Sequence, residues 1–245
     1  MSETLLPSAP TLETIRRHRS IRKYTGEPVS PEMLAAVLEA GRAASSSSFM
    51  QCVHMVRVTD HAVRERLFQI ASQQKYVLEA PEFLVFCMDY TKHRQQVPEV
   101  QLDYTEVMLI GAVDAGIMAQ NVLLAAESLG LGGVYIGSLR NDIAAAAEVL
   151  GLPDTVVPLF GMCLGHPDQE PLYRPRLPLA SLVSENRYRV CPPEELAAYN
   201  AKLAEYYRQR SGLDLDWQKQ VANTLAKPVR PHILPFLQQR GFAKR

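Results

Sequence analysis

The sequence predicts a layered sandwich of helices and strands, α/β or α+β, on three observations. Segments with strand character alternate with segments of helical periodicity, the pattern expected of a sheet covered by helices. The 245 residues are 47% hydrophobic, enough to bury a substantial core as one domain with an extension or as two modest domains. No internal repeat or low-complexity block interrupts the pattern. Periodicity alone does not choose between the two classes.

Each element follows from local signals. Thr11 is placed to cap a short helix through His18, with Leu12 and Ile15 on its inner face, behind a loose polar arm over residues 1–10. Ser30 followed by Pro31 opens a second helix, which carries Leu34, Val37 and Leu38 at helical spacing and ends near Ala43. Residues 52–58 read as a strand, after which Asp60 caps a helix with Val63, Leu67, Ile70 and Ala71 on one side. The apolar run from Phe83 to Met88, bounded by Pro81 and Asp89, is an interior strand.

From about Asp103 the pattern turns helical for about twenty-five residues, with Ala, Gly and Ser spread along it, and stops at Leu129-Gly130-Leu131-Gly132-Gly133. Small side chains there permit close approach of another helix. Residues 134–137 form a strand, Asp142 to Leu150 a helix closed by Gly151, and Val156 to Leu164 a further strand. Beyond Pro167 the texture changes. Residues 174–178 are extended and proline-stiffened, an amphipathic helix carries Leu196, Tyr199, Leu203 and Tyr206, and two shorter helical patterns follow.

Bulk chemistry excludes several function classes. Lys plus Arg and Asp plus Glu both number 26, so no basic excess draws the chain to nucleic acid or anionic lipid. The four cysteines (Cys52, Cys87, Cys163, Cys191) stand far apart, with no metal-type spacing, and read as reduced thiols. The N-terminus lacks the basic and apolar regions of a signal peptide, so the cytosol is expected. Val107 to Ala126 has the apolarity of a membrane span, but Asp114, Gln120 and Asn121 would be costly in lipid, and a helix buried in protein fits better. Neither GxGxxG after the first strand nor GxxxxGK[ST] is present, and Leu129–Gly133 lies in the wrong order for a dinucleotide fingerprint.

Three constellations can carry chemistry. In residues 16–24, six of nine side chains (Arg16, Arg17, His18, Arg19, Arg22, Lys23) are cationic or imidazole and suit a phosphate, or else form a solvated basic helix end. Ser45-Ser46-Ser47-Ser48-Phe49 sets four hydroxyls beside an aromatic ring, where a polar linker is the alternative. In the extended Arg174-Pro175-Arg176, alternate side chains point the same way, so both guanidinium groups can grip one anion.

Together with Gly130–Gly137, Leu139-Arg140, Pro158–Gly165 and Leu203–Tyr207, these segments resemble the NADPH-dependent, FMN-containing family of oxygen-insensitive major nitroreductases and flavin reductases. The resemblance runs from about Thr11 to the end of the sequence, with the motifs in the family's order. It implies an α+β sandwich, a central mostly antiparallel sheet flanked by helices, in an interlocked homodimer with two FMN sites built from both chains. It further implies an FMN-binding core over residues 11–170 and an extension over 171–245 that carries phosphate-binding arginines and NADPH-binding, dimer-wrapping helices.

By position, the resemblance assigns the FMN phosphate to Arg19, Ser20, Arg174 and Arg176, with His18 alongside. It sets Arg22 at the pyrimidine edge of the ring and gives Gln74 a hydrogen bond to it. Ile136, Gly137 and Ser138 lie against the flavin, the Gly137 N–H near N5, while Ser46, Ser47, Ser48 and Phe49 reach the site of the other chain. Arg210 meets the NADPH 2′-phosphate. No acid, base, nucleophile or metal is obligatory, because the flavin carries the chemistry. The implied activity is two-electron, ping-pong reduction of nitroaromatics and quinones by NADPH; a dedicated reductase of free flavin and a flavin-holding regulatory protein are the competing readings. The chain departs from the family pattern at Arg174, where lysine is expected, and at Ser138, where glycine is expected. Ser211–Asp216 is acidic and apolar where a relative has two arginines, which leaves the degree of preference for NADPH over NADH open.

Overall fold

A computed structural model describes residues 9–245, so the arm expected over residues 1–10 lies outside the described residues apart from its last two. The chain divides into two compact units, one comprising the residues up to Pro171 together with His232–Arg245, the other Leu172–Pro231.

The first unit is built on a four-stranded sheet of β1 (Val53–Arg57), β2 (Glu82–Asp89), β3 (Gly132–Ile136) and β4 (Val156–Gly165), in the order β1-β2-β4-β3 with every pair antiparallel. The α+β alternative is therefore the correct one. β2 is interior and buried along its whole length, as its unbroken apolar run requires. Its side chains alternate between two faces. Phe83, Val85 and Cys87 pack with Leu67 and Ala71 beside α3 (His61–Ile70) and with Ala146 of α7 (Ile143–Val149). Leu84 and Phe86 pack on the other face with Leu34 and Val37 of α2 (Pro31–Arg42) and Ala119, Val122 and Leu123 of α6 (Thr105–Ser128).

Local signals explain the helix starts. Ser30 Oγ accepts from Met33 N at 3.2 Å, Asp60 Oδ1 from Val63 N at 3.0 Å and Asp142 Oδ1 from Ala145 N at 3.0 Å. α6 alone is long and apolar enough by composition to cross a membrane among the described residues; its Gly111, Ala115, Ala119, Val122 and Leu123 are buried against this unit's own core. α2 approaches α6 closely at Gly41, where a Cβ would lie 2.5 Å from Val122 Cγ2; the glycine at this contact belongs to α2 and not to α6, the helix whose small residues predict a close approach.

Several expectations need correction. The first helix, α1 (Pro10–Arg17), starts at proline after Ala9 and has no side-chain cap, so Thr11 is not its cap; the fixed φ of proline suits the first turn. Leu12 and Ile15 are exposed rather than turned inward. β3 starts two residues early because Gly132 and Gly133 pair with Gly165 and Leu164. Gly137 opens a 3-10 turn, Gly137–Asp142, rather than closing the strand. Two helices too short for periodicity, α4 (Tyr76–Glu79) and α5 (Thr91–Gln96), went unpredicted.

The last segment of the chain carries α10 (Ile233–Gln239), whose Phe236 and Leu237 join Met88, Ile143 and Val157 in a third core cluster. The Arg240 guanidinium fixes it there by donating to the carbonyls of Pro153 at 2.7 Å and Val156 at 2.9 Å.

The second unit consists of extended chain, a 3-10 turn at Leu179–Ser181, α8 (Pro193–Ser211) and α9 (Trp217–Leu225). Tyr199, Leu203, Tyr206 and Tyr207 form its core, with Trp217 edge-on to Tyr199 at 5.6 Å. Gly212, at φ 64°, ends α8 in the left-handed region that glycine adopts without strain.

Candidate functional site

The site is arranged around the two ends of β3. At its start, α6 stops in a reverse turn in which Gly130 (φ 82°) donates to Glu127 O at 3.1 Å and Leu131 to Ala126 O at 3.0 Å. The segment 18–22 runs beside this edge, with Ile21 N donating to Gly133 O at 3.0 Å and Ser20 bridged to Gly133 in parallel. Gly132 permits this, since a Cβ there would lie 2.4 Å from Ile21 Cγ1.

Polar partners hold the basic segment in place. His18 Nδ1 lies 2.5 Å from Glu127 Oε1. Arg19 donates through Nε to Pro171 O at 3.2 Å and through its NH1 group to His18 O at 2.8 Å. The Arg22 N–H donates to Gln169 Oε1 at 2.8 Å. Burial raises the Tyr76 hydroxyl above its ordinary pKa, and the Arg22 guanidinium, hydrogen-bonded to it, acts in the opposite sense. Arg22 therefore sits beside Tyr76, the first residue of α4, which follows Gln74 by two positions.

At the far end of β3, Ile136 is buried and Gly137 begins the 3-10 turn, whose first N–H groups have no acceptor within the turn. The Ser138 hydroxyl faces Gln74 Oε1 at 2.9 Å and Ala71 O at 3.3 Å. Asn141 Nδ2 donates to Ser72 Oγ at 2.8 Å, giving a second tie between this turn and the loop before α4. Ser72 and Gln73 in that loop have φ of 58° and 54°, so the bonds stabilise a backbone that non-glycine residues rarely adopt. Arg22, Gln74, Ile136, Gly137 and Ser138 are thus brought into one region.

Ser46, Ser47, Ser48 and Phe49 lie on a separate loop between α2 and β1. Ser48, Phe49 and Gln51 have φ of 47°, 56° and 52°, each costing about 1–2 kcal/mol relative to the right-handed region. Phe49 is 79% exposed. Asp114 of α6, only 3% exposed, accepts the Ser47 N–H at 3.1 Å, a function that sequence reasoning missed. The available signal was a lone carboxylate in an apolar helix. On the outer side of the same helix, Leu109, Val113 and Ile117, one turn apart, are 56%, 58% and 41% exposed.

In the second unit, Arg174 donates to the Tyr207 hydroxyl and lies 5.4 Å over its ring, while Arg176 donates to Arg174 O at 2.8 Å. Arg210 is exposed on the last turn of α8, 6.0 Å from the Tyr206 ring centroid.

Comparison with known proteins follows the same outline. The pattern described as the Nitroreductase family matches residues 15–166, and that of the Nitroreductase family, C-terminal domain, matches residues 174–245. The chain is 53% identical over 237 residues to the NADPH-flavin oxidoreductase of Vibrio harveyi, covering 96% of this chain and 99% of that one. It is 48% identical over 239 residues to the oxygen-insensitive NADPH nitroreductase of Salmonella typhimurium, covering 97% and 100%. The solved structure of the Vibrio harveyi NADPH:FMN oxidoreductase complexed with NAD+ superposes with a TM-score of 0.92 at 52% identity, covering 97% and 100%. With its fold, its motifs and nearly its whole length shared, the chain belongs to the nitroreductase family.

Proposed function

We propose that this chain is an FMN-dependent oxidoreductase that uses NADPH to reduce nitroaromatics and quinones by two-electron transfer, as a cytoplasmic homodimer. The observation that carries this reading is the polar region at the end of β3, where the Gln74 amide tied to Ser138, the Arg22 guanidinium and the Gly137 N–H gather beside buried Ile136. That donor set fits the edge of a flat heteroaromatic ring bearing carbonyl and imine acceptors. The Ser138 hydroxyl is turned to Gln74 and Ala71, so it does not crowd the face beside Gly137.

Bound FMN supplies the hydride chemistry. His18, Arg19, Ser20, Arg174 and Arg176 hold its phosphate, and guanidinium forks suit that dianion better than point charges do. Arg22 sets positive charge where negative charge develops on the ring, and the Gly137 N–H adds a fixed dipole. Ser46, Ser47, Ser48 and Phe49 complete the site of the second chain. Arg210 binds the nucleotide's 2′-phosphate. Donor and acceptor occupy one open pocket in turn, which gives ping-pong kinetics. The four unpaired cysteines suit a reducing compartment.

The higher identity to an enzyme named for flavin favours one second reading, in which free flavin is the acceptor. The absorption spectrum of the purified protein, followed by anaerobic titration with NADPH and then NADH, tests the main reading. A yellow protein bleached by NADPH is expected. A colourless protein that gains no visible band with FMN would refute it. Turnover with free flavin against turnover with a nitrofuran at equal NADPH separates the two acceptors.

A further inference from the structure

Two side chains from different helices meet the backbone of the 46–51 loop from the protein side. Asp114 of α6 has both carboxylate oxygens within reach of Ser47 N, at 3.1 and 3.3 Å, and Oδ2 lies 3.5 Å from the Cys52 sulfur. Burial pushes the Cys52 thiol up, so it remains an S–H donor. Asp114 is thus a buried carboxylate whose partners are a backbone N–H and a thiol rather than a cation, an expensive arrangement unless it holds something in place.

His93 of α5 is the second contact, its Nε2 lying 2.6 Å from Met50 O. A carbonyl only accepts, so Nε2 carries the hydrogen, while Nδ1 is buried with no partner. The ring packs on Tyr90 with centroids 5.1 Å apart, which fixes its orientation. Between the two attachment points stand Ser48 and Phe49, both left-handed without being glycine. Within itself the loop is closed by Phe49 N to Ser46 O at 3.2 Å, Met50 N to Ser47 O at 2.9 Å and Gln51 N to Ser46 Oγ at 3.2 Å.

We propose that Asp114 and His93 are positioning residues that clamp the 46–51 loop in the conformation that presents Ser46–Phe49 to the flavin of a second chain, an inference that rests on the function proposed above. Released from the clamp, the non-glycine residues relax to negative φ and carry the serine hydroxyls and the Phe49 ring away from their presented positions. Because α6 also bears the Leu109, Val113 and Ile117 stripe, the Asp114 contact links the loop to the helix that is expected to meet the second chain.

Hydrogen exchange of the 46–51 segment in the FMN-free protein, together with FMN titration of the dimer, tests the clamp. Asp114→Ala and His93→Phe are each expected to speed exchange of the segment and weaken FMN binding by about tenfold, with dimerisation retained. Asp114→Asn keeps a carbonyl oxygen for the Ser47 N–H, and His93→Gln keeps a donor for Met50 O. Both should recover most of the loss, a rescue that a general loss of stability would not give. Unchanged exchange and FMN affinity in Asp114→Ala and His93→Phe would overturn the proposal, as would conservative variants no better than the truncations. A wild-type protein that binds no FMN would refute the proposed function instead, and the exchange data would still decide whether the loop is clamped.

Discussion

The Ser138 hydroxyl lies 2.9 Å from the side-chain oxygen of Gln74, so the residue that departs from the family's glycine is bonded to a residue assigned to the flavin. With its oxygen engaged there, the Gln74 amide turns its N–H2 group elsewhere. Ser138→Gly removes this constraint and should raise the FMN dissociation constant about two- to tenfold, equivalent to about 0.5–1.5 kcal/mol. Fluorescence titration of the apoprotein measures it. Equal affinity in both proteins would show that Gln74 holds its orientation unaided.

Arg174 and Arg176 flank Pro175, and their assignment to phosphate makes a prediction that riboflavin can check. The wild type should bind FMN far more tightly than riboflavin, which lacks the phosphate. Arg174→Gln and Arg176→Gln should each reduce FMN affinity about tenfold or more and leave riboflavin affinity nearly unchanged. Parallel losses for both ligands would place these arginines away from the phosphate.

Arg210→Ala should raise the KM for NADPH about tenfold to a hundredfold, with little change for NADH, because only the former carries a 2′-phosphate. Steady-state kinetics with both nucleotides checks this. Equal effects on the two would show that Arg210, exposed at the end of α8, does not read that group.

Much of the fold was legible because its signals are local. Ser30, Asp60 and Asp142 each announced a helix start, and β2, β4 and α6 stood out as long apolar segments with clear stops. Strand order was not legible, since the pairing of β2 with β4 joins residues some seventy positions apart and leaves no local trace. The site divides in the same way. The basic run at 16–24 and the serines at 45–48 were visible as clusters, whereas Gln74 carries no pattern and entered only through resemblance. Its placement depends on left-handed Ser72 and Gln73, which no glycine advertises. Asp114 was read only as a cost in lipid, because the loop it holds is distant in sequence.

Asp89 at the end of β2 makes a pH prediction. Burial pushes its carboxyl up, but the Lys92 ammonium at 2.6 Å and the Thr91 N–H at 2.8 Å outweigh burial and hold its pKa below the ordinary carboxylate value. A depressed folded-state pKa means that this contribution is fully present above the unfolded value of about 3.9 and is lost as pH falls through the folded value. Asp89→Asn should therefore lower the melting temperature at pH 7, with the gap to wild type narrowing below about pH 4. A gap that stays constant down to pH 3 would rule out this linkage.

The exposed stripe on α6 ties assembly to cofactor binding. Leu109, Val113 and Ile117 form a continuous apolar row, while Gly111 on the opposite side packs on Met88 of the same chain, so the row rather than that glycine is free to meet a second chain. Val113→Asp places an unpaired charge at the centre of the row, and burying such a charge is costly enough to oppose association. Light scattering should show a dimer for the wild type and a monomer for the variant at micromolar concentration. Because the loop bearing Ser46–Phe49 is assigned to the site of the other chain, the monomer should also lose FMN on gel filtration, although the residues of its own sheet edge are untouched. A wild-type monomer that retains FMN, or a Val113→Asp monomer that remains fully loaded, would show that one chain suffices to build the site.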